Sequence, residues 1–222
     1  METHPDYQTI RLAMDDGVAT ITLNRLEKKN ALNPALNEEM VSVLDRLRYD
    51  PAAQVLVLTG AGDSFCAGMD LKECFQDLQD NPIEWDRMQN MAQEWRGEKL
   101  RMFPKPTIAA VNGWCFGGGI PIVAACDLAI AAEEAVFGIS EINFGGIPAG
   151  PVAKVVGECM RPRDALYYIL TGKSFGGRRA AEMGLVNEAV SPGSFPGRSG
   201  NWPASSRAKI PSRCGPPRSF SS

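Results

Sequence analysis

The chain is poor in histidine, in paired cysteines and in long unbroken apolar runs, and each shortage removes a class of function. Of 222 residues one is histidine, His4. A Ser-His-Asp triad, a Cys-His pair or a histidine-built metal site would depend on that single imidazole beside the N-terminus, so proton transfer is expected to fall to carboxylates, tyrosines, lysines or cysteines. The six cysteines, at 66, 74, 115, 126, 159 and 214, form no CxxC pair and no compact framework. Reduced thiols are therefore expected, with neither disulfides nor a metal. No GxxxxGK[ST] occurs, and in GAGDSF the sixth position is Phe65, where a dinucleotide fingerprint has glycine or alanine. The longest uncharged run, 106–126, is interrupted by Asn112, four glycines and Pro121, so no membrane span is expected. The opening METHPDYQTI has neither a basic nor an apolar leader region, and the expected location is cytoplasmic.

What is present suits one globular α/β domain over 1–190. The residues are 44% hydrophobic and 22% charged, enough to bury a sizeable core. The net charge of −3 is unevenly spread: from Ser191 to Ser222 there are five basic residues and no acidic one. That segment, SPGSFPGRSGNWPASSRAKIPSRCGPPRSFSS, has no apolar period and reads as a disordered tail. It lacks aromatic interleaving and a basic fold behind it, so nucleic acid is not an expected partner.

Upstream, YQTIRLAM and VATITLN flank DDG as a hairpin. Asn33 and Pro34 then open a helix whose apolar stripe is Leu36, Met40, Val43, Leu44 and Leu47. QVLVLTG reads as a buried strand, GAGDSFCAGMDLKE as a loop entering a helix, and 82–102 as one long amphipathic segment. TIAAVNG, CDLAIAA, AVFGIS and LVNEAV read as further strands, and GGGIPIVAAC, VAKVVGECM, RDALYYILTG and FGGRRAAEMG as helices. Strands alternating with helices predict a layered α/β domain. AGMD (67–70) and FGGG (116–119) each end a strand and open a helix. Such glycines can free backbone N–H groups for a developing negative charge, or simply permit tight turns, and spacing alone leaves both open.

NRLEKKNAL (24–32), AGMDLKE (67–73), KPTIAAVNGWCFGGG (105–119), CDLAIAAEEAVFGISEINFGGIPAG (126–150) and TGKSFGGRRAAEMGLVNEAV (171–190) resemble, in order, the enoyl-CoA hydratase/isomerase (crotonase) superfamily. The resemblance covers about residues 8–190. It implies a fold of repeated ββα units, assembly in trimers or pairs of trimers, and an acyl thioester of coenzyme A as substrate, with no cofactor. By the same resemblance the N–H groups of Met69 and Gly118 would hold the thioester oxygen as an enolate forms. Lys28 would lie near the pantetheine and adenosine phosphates, Ala67 and Leu71 along the adenine and pantetheine path, and Ser140, Phe144 and Gly150 around the acyl pocket.

Simple hydratases of this family use two glutamates, and here only the second survives, as Glu141; the first position is Pro121, which can neither accept nor donate a proton. NGWCFGGG and YYILTGKSFGG are most similar to the single-glutamate branch of hydroxycinnamoyl-CoA hydratase-lyases. That likeness implies hydration of feruloyl-CoA followed by cleavage to vanillin and acetyl-CoA, with Glu141 moving the protons. A fatty-acyl enoyl-CoA hydratase, a Δ3,Δ2-enoyl-CoA isomerase and an inactive thioester-binding remnant are the alternatives. Departures from the branch are Cys74 where the lyases have a phenol-binding tyrosine, Pro121 where they have a small hydroxyl residue, and the tail where they continue in interface helices. A reading-frame shift after about Val190 is the expected origin of that tail.

Overall fold

The DDG turn closes the first hairpin. Asp16 and Gly17 take φ of 43° and 80°, the left-handed pair a two-residue turn needs, and join β1 (Ile10–Asp15) to antiparallel β2 (Val18–Leu23). In α1 (Pro34–Tyr49) the Asn33 side chain accepts a hydrogen bond from the Leu36 N–H at 2.9 Å, and the five residues of the stripe are all buried. This computed structural model describes residues 6–148, 151–191 and 194–195.

The remaining strands are β3 (Val55–Gly60), β4 (Ser64–Cys66), β5 (Thr107–Val111), β6 (Trp114–Phe116), β7 (Leu128–Ala132), β8 (Val136–Gly138), β9 (Ser174–Gly176) and β10 (Glu188–Val190). They form two sheets. The larger runs β1-β2-β3-β5-β7-β10 and is parallel from β2 onward; the smaller runs β4-β6-β8-β9. Three times a strand of the large sheet is followed, after a short turn, by a strand of the small sheet and then by helix. The helices are α2 (Pro82–Gln93) after β4, α3 (Ile120–Ala125) after β6 and α4 (Pro151–Cys159) after β8. These are the repeated ββα units of the crotonase-like fold. α5 (Pro162–Thr171) and α6 (Gly177–Met183) follow, and Gly184 ends α6 in the left-handed conformation.

Every residue of β3 and of β5 is buried, as expected of parallel strands covered on both faces. Strands β4, β6 and β9 have no counterpart in the sequence reading. At three residues each they carry no periodic signal, and pairing with β8 and with one another defines them. The amphipathic segment 82–102 also divides: α2 stops at Gln93 and a π-helical turn, Glu94–Lys99, follows. Trp95 in that turn is fully buried and donates from Nε1 to Asn37 Oδ1 of α1 at 2.8 Å, so the change of winding seats a large polar aromatic.

Gly150 and nearly all of 191–222 lie outside the described residues. Within that last segment Phe195 is described, and it is buried against the core. Among the described residues no helix is long and apolar enough to cross a membrane.

Candidate active site

Two backbone loops and one carboxylate meet at the end of the small sheet. The first loop follows β4. Leu32 N donates to Gly68 O at 2.7 Å, and Asp70 N donates to Leu32 O at 2.8 Å, pairing Leu32 with Met69 as an isolated parallel bridge. Successive N–H groups of an extended segment point to opposite sides, so the Met69 N–H faces away from Leu32. Among the described residues it has no acceptor.

The second loop follows β6. Gly117, at φ 44°, turns the chain into a 3₁₀ turn, Gly117–Gly119, that continues directly into α3. N–H groups in the first turn of such a helix have no internal acceptor. Gly118 N has none among the described residues either. The loops touch through Gly68, at φ 97°: a methyl group built there would lie 3.1 Å from Phe116 O and 3.4 Å from Gly118 N. A methyl built on Gly118 would lie 3.4 Å from Met69 Cγ. Two unused donors are thus held side by side.

Glu141 completes the group. It begins the 3₁₀ turn Glu141–Phe144 after β8, and its Oε1 lies 3.5 Å from where a Gly117 Cβ would stand. Its Oε2 is buried without a hydrogen-bond partner among the described residues. An acceptor left in that state is costly unless something enters to satisfy it, which suits a group that handles a substrate's protons.

The other anticipated residues divide. Ala67 N donates to Lys29 O at 3.0 Å, which places Ala67 beside exposed Lys28, and Leu71 is exposed further along the same segment. Ser140 is half-buried immediately before Glu141, and Phe144 is 77% exposed. Pro121 is buried in the first turn of α3. Cys74 has no exposed surface: its thiol donates to Leu32 O at 3.2 Å, and burial, reinforced by Asp70, pushes its pKa up to about 11. In this chain it braces Leu32, the residue that pairs with Met69, instead of presenting a group to a phenol.

Sequence reasoning passed over the supports of these loops. Arg25 is buried, pairs with Asp70 at 3.1 Å and with Glu73 at 2.6 Å, and donates to Ala31 O at 2.6 Å. Asn33 donates to Glu73 Oε2 at 2.7 Å, so the residue that caps α1 also ties down the segment after Met69. Burial pushes the Asp70 carboxyl up, but the Glu73 N–H, the Arg25 guanidinium and the charge of Lys28 outweigh it and hold it below the usual carboxylate range. On the other side Asn112 donates to the carbonyls of Gly60 and Gly62 at 2.9 and 3.0 Å, joining the turns that lead into β4 and β6. Arg25 and Asn112 both stand inside quoted motifs, which is the signal that could have found them.

A family model described as enoyl-CoA hydratase/isomerase matches residues 13–200. The chain belongs to the enoyl-CoA hydratase/isomerase family. It is 54% identical over 185 residues to the hydroxycinnamoyl-CoA hydratase-lyase of Pseudomonas fluorescens, covering 83% of this chain and 67% of that protein. It is 37% identical over 191 residues to the mevalonyl-coenzyme A hydratase of Aspergillus fumigatus, with 85% and 69% covered. Among solved structures it resembles an enoyl-CoA hydratase from Bacillus anthracis, at a TM-score of 0.77 and 33% identity, over 86% of this chain and 74% of that one. Within this family of acyl-thioester enzymes, two N–H donors beside one carboxylate can stabilise an enolate and move protons at the carbons next to it.

Proposed function

We propose that this member of the family is a hydroxycinnamoyl-CoA hydratase-lyase, acting on feruloyl-CoA and related 4-hydroxycinnamoyl thioesters. The 54% identity to a protein of that name carries the reading. The composition of the site supports it. Glu141 stands beside the two donors, whereas the position of a second hydratase glutamate is Pro121, buried in the first turn of α3.

In this reading the thioester oxygen accepts from Met69 N–H and Gly118 N–H. Electron release from the para-hydroxyl activates the β-carbon; water adds there, Glu141 takes its proton, and the α-carbon of the enolate is reprotonated. Glu141 then removes the β-hydroxyl proton, the bond between the α- and β-carbons breaks, and its electron pair becomes the enolate of acetyl-CoA. Protonation of that enolate gives acetyl-CoA, and the β-carbon leaves as the aldehyde. Atoms and electrons balance with water as the sole co-reactant, so the reading includes no cofactor. A donor preorganised for the enolate contributes about 3 kcal/mol to such a step.

Lys28, Ala67 and Leu71 are assigned to the coenzyme A path, supported by the bond from Ala67 N to Lys29 O and by the exposure of Lys28 and Leu71, and Ser140 and Phe144 to the acyl pocket, supported by their nearness in sequence to Glu141. Assembly in trimers or pairs of trimers and a cytoplasmic location belong to the same proposal; exposed Ile147, Leu166 and Leu170 support the former. Incubation of the purified chain with feruloyl-CoA tests the activity. Aldehyde and acetyl-CoA are expected in equal amounts, and turnover confined to crotonyl-CoA or a 3-enoyl-CoA, or binding without turnover, would overturn it.

A further inference from the structure

Three charged residues are buried among those described, and two of them, Arg25 and Asp70, neutralise each other. The third is Arg96, 7% exposed in the π-helical turn after α2, with no carboxylate partner among the described residues. Its guanidinium donates from Nε to Ala92 O at 3.1 Å and from Nη1 to Gly118 O at 3.2 Å, and lies 5.7 Å from the centre of the Trp95 ring. The titratable groups that face it are the thiols of Cys66 and Cys74, both kept neutral because burial pushes their pKa values up to about 11. Burial pulls the arginine's own pKa down, yet an arginine in a protein stays charged.

An unpaired buried cation is costly, and two carbonyls could be satisfied by a neutral amide. The position of this one is informative. Nη1 lies 3.3 Å from where a Gly118 Cβ would stand, and the same point is 3.4 Å from both Met69 Cγ and Leu32 Cδ1. The charge therefore lies against Gly118, on the side where Gly118 meets the Met69 side chain.

We propose that Arg96 is a positioning residue of the reaction: it holds the carbonyl of Gly118, one peptide on from the donor N–H, and places a permanent positive charge beside the oxyanion hole. A neutral thioester oxygen feels that charge weakly, and an enolate oxygen feels it strongly because little solvent intervenes. Its effect falls on the transition state more than on binding. The inference rests on Met69 and Gly118 being the enolate donors.

The test compares R96K, R96Q and R96M with the wild-type chain in kcat and KM for feruloyl-CoA. R96Q and R96M are expected to lose about tenfold to a hundredfold in kcat with KM nearly unchanged, while R96K keeps most of the rate. In a second measurement, feruloyl-CoA is bound to E141Q and to E141Q/R96Q, where turnover is blocked, and the red shift of its absorption is read. That shift reports polarisation of the thioester, and it is expected to shrink when the charge is removed. R96Q with wild-type kcat and an unchanged shift would overturn the proposal, as would a lower Tm with an unaltered rate per folded molecule. If R96M does not fold, the contrast of R96K with R96Q, which can still donate to Gly118 O, decides the matter. A wild-type chain that hydrates crotonyl-CoA but leaves feruloyl-CoA intact would overturn the substrate assignment alone, since the Arg96 series can then be run on hydration.

Discussion

The loop of Met69 and the loop of Gly118 offer one N–H each, yet they are held in different ways. Around Met69 the support is polar and paired: Arg25 answers Asp70 and Glu73, Asn33 answers Glu73, and the Cys74 thiol answers Leu32 O. Around Gly118 the support is steric and electrically open. A left-handed Gly117, close packing against Gly68 and a single uncompensated arginine hold it. A network of ion pairs gives rigidity that pH can remove, whereas glycine packing gives rigidity that pH does not touch. The pairing of the two joins stability to shape on one side and shape to charge on the other.

That contrast can be broken from several directions. Glu141→Gln removes the proposed proton carrier, and is expected to lower feruloyl-CoA turnover about a thousandfold while thioester binding persists, as followed by aldehyde release and by titration with the substrate. Gly68→Ala places a methyl group 3.1 Å from Phe116 O at a backbone φ of 97°, forcing the loops apart. It is expected to cost about tenfold or more in kcat/KM and about 1 kcal/mol or more of stability, read by kinetics and urea unfolding. Asp70→Asn loosens the Met69 side alone and is expected to cost about 2 kcal/mol at neutral pH. Here the pH dependence has a definite sign. The Asp70 pKa is lowered in the folded state, so its stabilisation is complete above the unfolded value near about 4 and is lost as pH falls through the lower, folded value. The gap in unfolding midpoint between wild type and Asp70→Asn should therefore begin to narrow below about pH 4 and close only below the folded value, and a constant gap would show that the Arg25 pair is not what Asp70 contributes.

Legibility in the sequence followed the length of the signal. The hairpin at Asp16 and Gly17, the stripe of α1 and its Asn33 cap, and the buried run of β3 each rest on several residues acting locally, and each stands as read. Met69, Gly118 and Glu141 were legible only because glycine-punctuated motifs and a family resemblance marked them; the structure brings all three together. Strands β4, β6 and β9 were not legible, since three residues hold no period and their partners lie tens of positions away. Nor was Arg96, which in an amphipathic stretch looks like any solvated charge until the winding of 94–99 turns it inward.

By itself, then, the sequence determined what depends on neighbours along the chain: alternating strands and helices, the turns that join them, and the glycines that leave N–H groups unused. Tertiary structure alone decided which of those groups share a site. It buried Cys74 against Leu32 O and set an unpaired guanidinium beside Gly118, because burial and charge compensation depend on what the whole fold packs around a side chain.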